Sequence, residues 1–352
     1  MKEIMNILYE NGYESYVVGG FVRDYLLGIK STDIDICTNA PIEVIIKLFK
    51  GRGKAYPKYY AYHIEEFGYT YDITSYRKEL KYAKNKPIKL SLCKTFKEDL
   101  LRRDFTINTF GIDRNSMFVD ALGVKKDLND RIIRVVGNTS KKFKEDRTRI
   151  IRAIRFACTL GFDLDTEIIK FISDKRTFML NEVSNEYKRK ELDKIFDSNG
   201  IEKFFNILSK YGIAKHFNIE FNTIKPVFNK YGVWAQVQTD LPFSKEEKNI
   251  ISNIQKVLKD KDIEYNEMTK YSKDVIYNAA RILDIEDKIK AYEDIENLHS
   301  IVEMNASPEV FLKHIKYDNV KEAYRSVERG IMQGEIENNE ESIEEYLNKI
   351  RL

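Results

Sequence analysis

The stretch Tyr16-Val17-Val18-Gly19-Gly20-Phe21-Val22-Arg23-Asp24, followed nine residues later by Asp33-Ile34-Asp35-Ile36, decides how this chain folds. Tyr16-Val17-Val18 is a short, β-branched apolar run that suits a buried strand. The two glycines after it let the backbone turn tightly and come close to a ligand. The amides of that turn would face a phosphate. Asp33 and Asp35 lie two apart, so on a strand both carboxylates leave one face while Ile34 and Ile36 enter the core. Taken singly, a Gly-Gly is a turn and an Asp-x-Asp is a solvated strand end. In this order and spacing they form a phosphate cradle beside a pair of metal-binding carboxylates, the groups that nucleotidyl transfer requires.

In that chemistry an attacking 3′-hydroxyl must lose its proton while charge builds on a leaving pyrophosphate. Two Mg²⁺ ions about 3.5–4 Å apart serve both needs. Asp33 and Asp35 are the candidate metal ligands and catalytic residues, with Asp35 expected to help the hydroxyl ionise. Arg23 adds a fixed charge for the triphosphate, and Gly19, Gly20 and Asp24 shape the turn around it.

Further motifs extend the pattern: Leu101-Arg102-Arg103-Asp104-Phe105-Thr106-Ile107-Asn108; Val119-Asp120-Ala121-Leu122-Gly123 with Ile133-Arg134-Val135-Val136-Gly137; Glu145 through Phe156; and Glu186 through Ile195. With the first two, these resemble the DNA polymerase β-like nucleotidyltransferases, and within them the class II tRNA nucleotidyltransferases (CCA-adding enzymes) and bacterial poly(A) polymerases. The carboxyl end, Val320 to Ala323 and Gly334 to Asn338, is similar to the Gram-positive CCA-adding type. The likeness runs nearly the whole chain, is strongest before residue 200 and is thin from about 205 to 300.

The resemblance implies an α+β architecture, a polymerase-β-like nucleotidyltransferase head followed by an all-α neck, body and tail. Boundaries are expected at 1–137 for the head, 138–200 for the neck that selects the nucleotide, 201–295 for the body and 296–352 for a tail that binds tRNA. It implies template-independent addition of CCA to tRNA 3′ ends from CTP and ATP. An A-adding enzyme or poly(A) polymerase is the alternative, and a non-catalytic RNA-binding relative the second. It also places the third strand carboxylate, a further catalytic candidate, at Asp72, for which a polar strand-edge residue is the plainer reading. Arg103 is placed on the triphosphate, with Asp104 and Asn108 on the sugar or bracing the pocket; a mutual Arg103–Asp104 network is the structural rival.

A helix is expected from Lys144 to Leu160, on which Asp146, Arg149 and Arg152 recur every three residues and share a face, with Arg155 and Phe156 a turn further. A carboxylate and a guanidinium complement the edge common to cytosine and adenine, an amine donor beside a ring-nitrogen acceptor, and reject guanine and uracil. The resemblance assigns this reading to Asp146 and Arg149, and places Arg152 and Arg155 near the phosphates or in support of the helix. An ordinary i,i+3 ladder of ion pairs is the plainer reading of the same spacing.

The remaining sequence sets the frame. The chain has 352 residues, enough for two to four structural units. Residues 1–160 carry 30 basic and 20 acidic side chains, net +10, whereas residues 161–352 carry 29 and 36, net −7. The basic half holds the motifs, which suits nucleotide and RNA backbone. Cys37, Cys93 and Cys158 are too scattered for a disulfide framework or zinc site and point to a reducing, cytoplasmic setting. No apolar run reaches the roughly 20 residues that span a bilayer, so no membrane role is expected; no protein partner can be inferred.

Strands are expected at 60–64, 69–73 and 89–92, helices at 1–11 and 43–50, and a mobile charged loop at 77–87. That loop is the segment which, in the family, CC-only enzymes lack. Phe217, Phe221, Phe228 and Trp234 are expected to fill a small helical core. The sequence departs from the family pattern at Tyr59-Tyr60, where a His-Gly pair is common, at Ala121-Leu122 in the hinge, and at Thr109.

Overall fold

Val17, Val18, Ile34, Ile36, Ile64 and Ile73 are all essentially without solvent contact, and their alternation along the chain builds the sheet on which the amino-terminal region is organised. The computed structural model describes residues 1–174, 176–263, 268, 270–293, 304–315 and 320–350. The expected boundary at 295/296 lies outside the described residues.

The chain opens with helix α1 (Lys2–Glu10), strand β1 (Ser15–Val18), helix α2 (Gly20–Leu26), strand β2 (Asp33–Thr38) and helix α3 (Ile42–Leu48). Strands β3 (Gly53–Tyr56), β4 (Ala61–Glu66) and β5 (Tyr69–Ser75) follow, then β6 (Arg77–Ala83) and β7 (Lys86–Leu92). Helix α4 (Phe96–Leu101) leads to the short strands β8 (Gly111–Ile112) and β9 (Phe118–Val119). The seven-stranded sheet has the order β3-β4-β5-β2-β1-β8-β9. β2 lies between β1, its antiparallel neighbour, and β5, its parallel one. Parallel pairing sets Asp35 opposite Asp72 and Asp33 opposite Thr70, so the side chains of both pairs leave the same face.

Two expectations about local structure are overturned. The segment 77–87, expected as a mobile loop, belongs instead to an antiparallel hairpin, β6 on β7, turned at Lys84-Asn85. Both turn residues have positive φ, 48° and 62°, the geometry of a two-residue hairpin turn whose twist matches its strands; the paired β6 and β7 residues hid beneath the lysines that made the segment look like a loop. Strand 89–92 thus belongs to this separate ribbon and not to the main sheet. Tyr60 takes φ 52°, the left-handed conformation that a glycine would adopt without strain, at the position where the family pattern carries its glycine.

Past the sheet come α5 (Lys125–Asn129), β10 (Ile132–Ile133), α6 (Thr139–Glu145), α7 (Thr148–Leu160), β11 (Asp163–Leu164), α8 (Thr166–Ser173), α9 (Asn185–Phe196) and α10 (Ile201–Tyr211). The single helix expected from 144 to 160 is therefore two, broken at Asp146, whose φ of −143° and ψ of 105° are extended. The break has a local cause: Asp146 Oδ1 accepts from the Thr148 amide at 2.9 Å and its hydroxyl at 2.6 Å, a bond that competes with helix continuation.

Contacts divide the chain into two compact units: Met1–Ile224 with Val237–Phe243, and Lys225–Gln236 with Ser244–Leu352. In the second, helices Lys230–Gln236, Lys245–Asp260 and Lys273–Leu283 enclose Ile254, Val257, Ile276 and Ala280, while Pro308–His314, Val320–Met332 and Glu340–Lys349 enclose Phe311, Val327, Ile343 and Leu347. The four aromatic residues expected to share one core fall in different units. Phe217 packs on Phe204 and Phe221 on Phe205 in the first, whereas Phe228 packs on Tyr277 in the second. Trp234, 1% exposed, also belongs to the second unit. No helix among the described residues is long and apolar enough to cross a membrane.

Candidate active site

The turn at Gly19 sits at the end of β1, and its φ of 76° with ψ of −143° is a conformation that side chains resist. Space is lacking as well, because a Cβ there would lie 2.6 Å from Asp35 Oδ2. The turn residue and the second carboxylate of β2 are thus in direct apposition. Asp33 is exposed and takes a hydrogen bond from Thr70 Oγ1 at 2.9 Å. Burial pushes the Asp35 carboxyl up; the Arg103 charge opposes this, and Asp33 and Asp72 add to it. Asp72 pairs in register with Asp35, yet its Oδ1 is bonded to His63 Nδ1 at 2.8 Å and it does not line the cleft described below.

Arg23, on the first turns of α2, is buried and directed by bonds to Asp24 Oδ1 from Nε at 2.8 Å and to Asn108 Oδ1 from Nη1 at 2.7 Å. Asp24 supports Arg23 from outside the cleft. The second motif is fixed by main-chain bonds to the hinge: Thr106 N to Arg134 O at 2.9 Å and Val136 N to Asp104 O at 2.9 Å. Arg103 and Asp104 do not pair with each other, because neighbouring residues of a turn point apart. Arg103 meets Asp99 at 3.4 Å. Asp104 accepts from Arg152 Nε at 2.8 Å, Asn108 Nδ2 at 3.1 Å and the Phe105 amide at 2.8 Å. Burial alone would raise the Asp104 carboxyl, but Arg152 and these donors hold it well below the usual carboxylate range.

On α7, Arg149 is buried and its guanidinium donates to Lys142 O at 3.1 Å and Tyr82 Oη at 2.8 Å, within 3.6 Å of Glu79 and Glu145 carboxylates. Tyr82 in turn donates to Glu79. Arg155 is bound by Glu191 of α9 at 2.6 Å and lies over the Phe156 ring at 3.7 Å, which Arg23 also faces at 4.8 Å. Asp146 spends Oδ1 on Thr148, and its Oδ2 stands 4.0 Å from Arg149 Nε.

These residues line one cleft of about 550 Å³: Gly19, Gly20, Arg23, Asp33, Asp35, Arg103, Asp104, Asn108, Asp146, Arg149, Arg152 and Arg155 all face it. Glu79, Arg102, Thr148, Phe156 and Tyr187 complete the wall. Sequence reasoning missed Glu79 and Tyr82, because the hairpin that carries them was read as a loop. It also missed Asp99, fully buried and bonded to Arg102 at 3.0 Å, and Lys142, whose Nζ donates to the carbonyls of Leu101, Arg102 and Arg103 at 2.8, 2.9 and 3.1 Å. Burial, with Arg149 nearby, brings that lysine down to about 8. The alternation Arg77-Glu79-Lys81, with Tyr82 beyond it, was the available signal for the hairpin.

Among the described residues no cluster of three or more His, Cys, Asp and Glu is arranged to hold a metal. The cleft instead offers two carboxylates on one strand face, and no described donor bonds to that of Asp35. Such a set fits Mg²⁺, which keeps several waters and binds through one or two carboxylates plus substrate phosphates.

Residues 15–134 match the family model of the poly A polymerase head domain. Among curated proteins, the CCA-adding enzyme of Bacillus pumilus is 35% identical over 206 residues, 58% of this chain and 51% of that protein. The CCA-adding enzyme of Streptococcus mutans is 33% identical over 232 residues, 66% of this chain and 56% of that protein. The chain thus spans about half the length of the curated relatives it matches. Among solved structures, the Bacillus stearothermophilus CCA-adding enzyme in complex with CTP aligns with a TM-score of 0.75 at 22% identity, over 99% of this chain and 96% of that one. The Thermotoga maritima CCA-adding enzyme complexed with tRNA gives 0.70 at 21% identity, over 99% and 94%. Residues 15–134 are thus similar to the poly A polymerase head domain, the chain is related to the CCA-adding enzymes, and its α+β fold is that of the solved CCA-adding enzymes.

Proposed function

We propose that this chain is a Mg²⁺-dependent, template-independent nucleotidyltransferase that adds CCA to tRNA 3′ ends from CTP and ATP in the cytoplasm. The observation that carries this reading is the single cleft that joins the Gly19 turn and the Asp33/Asp35 pair to Asp146 and Arg149. Its relatives named as CCA-adding enzymes support the choice of reaction.

Asp33 and Asp35 would hold Mg²⁺, which supplies charge neutralisation for the reacting phosphate and its leaving group. Asp35, in apposition to the Gly19 turn, is the residue we place to help the attacking 3′-hydroxyl lose its proton. Gly19 and Gly20 leave room for the triphosphate, and Arg23 and Arg103 meet its charge from positions set by Asn108 and Asp99. Asp146 keeps Oδ2 for the exocyclic amine of cytosine or adenine. Arg149, held by Tyr82 and the Lys142 carbonyl, retains donors for the ring nitrogen. Arg152 is committed to Asp104 and Arg155 to Glu191, so both brace the pocket. The division into head 1–137, neck, body and tail remains our proposal, with the helices after the head gripping tRNA by shape and phosphates.

Asp33→Ala and Asp35→Ala each test the carboxylate assignment. Loss of nucleotide incorporation with an unchanged thermal transition is expected, and substantial residual incorporation by either variant would overturn it.

A further inference from the structure

Lys142, on α6, is half-buried behind the nucleotide cleft and does not line it, yet it is bonded to both halves of the cleft's wall. Its ammonium gives all three N–H groups to the main chain: Nζ donates to the carbonyls of Leu101, Arg102 and Arg103 at 2.8, 2.9 and 3.1 Å. These carbonyls lie at the carboxyl end of α4, where a helix leaves its last acceptors without internal partners and where a cation is favoured. Arg102 and Arg103, which both line the cleft, leave the chain at that turn and are steadied by Asp99 at 3.0 and 3.4 Å. The carbonyl oxygen of Lys142 serves the other half. It accepts from the Asp146 amide at 3.1 Å and from Arg149 Nη1 at 3.1 Å. One residue thus ties the turn that carries the triphosphate-facing arginines to both side chains placed at the base.

The tie depends on charge. An ammonium presents three N–H groups, whereas a neutral amine has two and a lone pair, which would face one of the three carbonyls. Around Nζ, Arg149 of α7 opposes the charge, while Glu145 of α6, Glu79 of β6 and Asp104 beyond α4 favour it. Burial, with Arg149 next, outweighs the carboxylates and brings the ammonium down to about 8. Lys142 therefore loses its proton just above neutrality, where an ordinary lysine stays charged.

We infer that Lys142 is a positioning residue for nucleotide recognition: by fastening the end of α4 to α6, its charged side chain sets the spacing between the triphosphate-binding arginines and the base-reading pair Asp146 and Arg149. The inference rests on the nucleotide reading of the cleft. A nucleotide that spans both halves binds the form in which the tie is made, so its affinity follows the charged fraction of Lys142. Lys142 acts through Arg103, Asp146 and Arg149 and touches no substrate itself.

The test is equilibrium dialysis with CTP and with UTP in Mg²⁺, without RNA, on the wild type, Lys142→Arg and Lys142→Met between pH 7 and pH 9. In the wild type about nine-tenths of the lysines are charged at pH 7 and about one in eleven at pH 9, so CTP affinity should fall about tenfold. Lys142→Met should bind CTP about tenfold more weakly than the wild type at pH 7 and fall no further. Lys142→Arg, which stays charged, should keep its affinity throughout and reports any other group that titrates in this range. The preference for CTP over UTP should shrink together with CTP affinity, because the base-reading pair loses its place. Wild-type affinity that holds to pH 9, Lys142→Met that binds CTP as the wild type does, or CTP and UTP weakened by the same factor would each overturn the inference. The last result would mean a distant charge acting on the triphosphate alone. A wild type that binds neither nucleotide at pH 7 would refute the nucleotide reading itself, whereas one that binds CTP without these dependences refutes only the role of Lys142.

Discussion

Replacing Gly19 by Ala should damage stability and catalysis through separate physical causes. Gly19 has a φ of 76°, and its Cβ would stand 2.6 Å from Asp35 Oδ2. Holding an alanine in a glycine-only conformation costs about 1–3 kcal/mol. At about 2–4 °C per kcal/mol for a unit of this size, the thermal transition should fall by several degrees. To restore an ordinary 3.4 Å contact the Asp35 carboxylate must retreat by 0.8 Å, the difference between 3.4 and 2.6. A displacement of about 1 Å in a reacting group lowers the rate roughly 10²-fold. The assay is single-turnover incorporation of one nucleotide from CTP onto an RNA lacking its terminal CCA, paired with a thermal melt. Gly20→Ala is the fold control: its Cβ meets only the far end of Arg23 at 3.5 Å, and alanine is the better helix former, so its melt should not fall. Gly19→Ala with an unchanged melt and more than half the wild-type rate would refute the reasoning, as would an equal loss of stability in Gly20→Ala.

Asp104→Asn removes the negative charge opposite Arg152 and one of the two acceptor oxygens that serve three donors, and with Arg152 partly solvated the loss should be about 1–3 kcal/mol in a urea titration at neutral pH. Because the Asp104 carboxyl is held below its unfolded value, its stabilisation is complete above about pH 4 and fades as pH falls, so the gap between wild type and Asp104→Asn should narrow in acid. His63 runs the other way. Hydrogen bonds to Glu65 and Asp72 raise it above 6.5, so the stability gap between wild type and His63→Ala should be full below pH 6.5 and vanish as pH rises through the folded value. Tyr82→Phe takes the hydroxyl from between Glu79 and Arg149 and should lower kcat/KM for CTP about tenfold with an unchanged melt; wild-type kinetics would show that Arg149 needs no such support.

The motif that decided the fold was legible because it is local. The strand, the glycine turn and the alternating Asp33 and Asp35 each follow from a few consecutive residues, and the turn and both carboxylates line the cleft. The 77–92 hairpin was not legible, since Lys84 is a poor marker of a positive-φ turn, Asn85 lacks the glycine that usually follows it in a two-residue turn, and the exposed lysines imitate a loop. Spacing alone put Asp146 on a helical face. A carboxylate that bonds to the amide and hydroxyl two residues on ends the preceding helix instead. The Arg152–Asp104 and Arg155–Glu191 pairs join residues 48 and 36 apart in sequence, a distance at which no periodicity speaks.

CCA synthesis is read out by extending a tRNA transcript that lacks its 3′ CCA, in Mg²⁺, with CTP alone, ATP alone and both, resolved to single nucleotides. Two additions with CTP, a third only when ATP is also present, and then a stop are predicted. Addition of A alone to a CC-ended tRNA, an unbounded A tail, or no addition at all would contradict it.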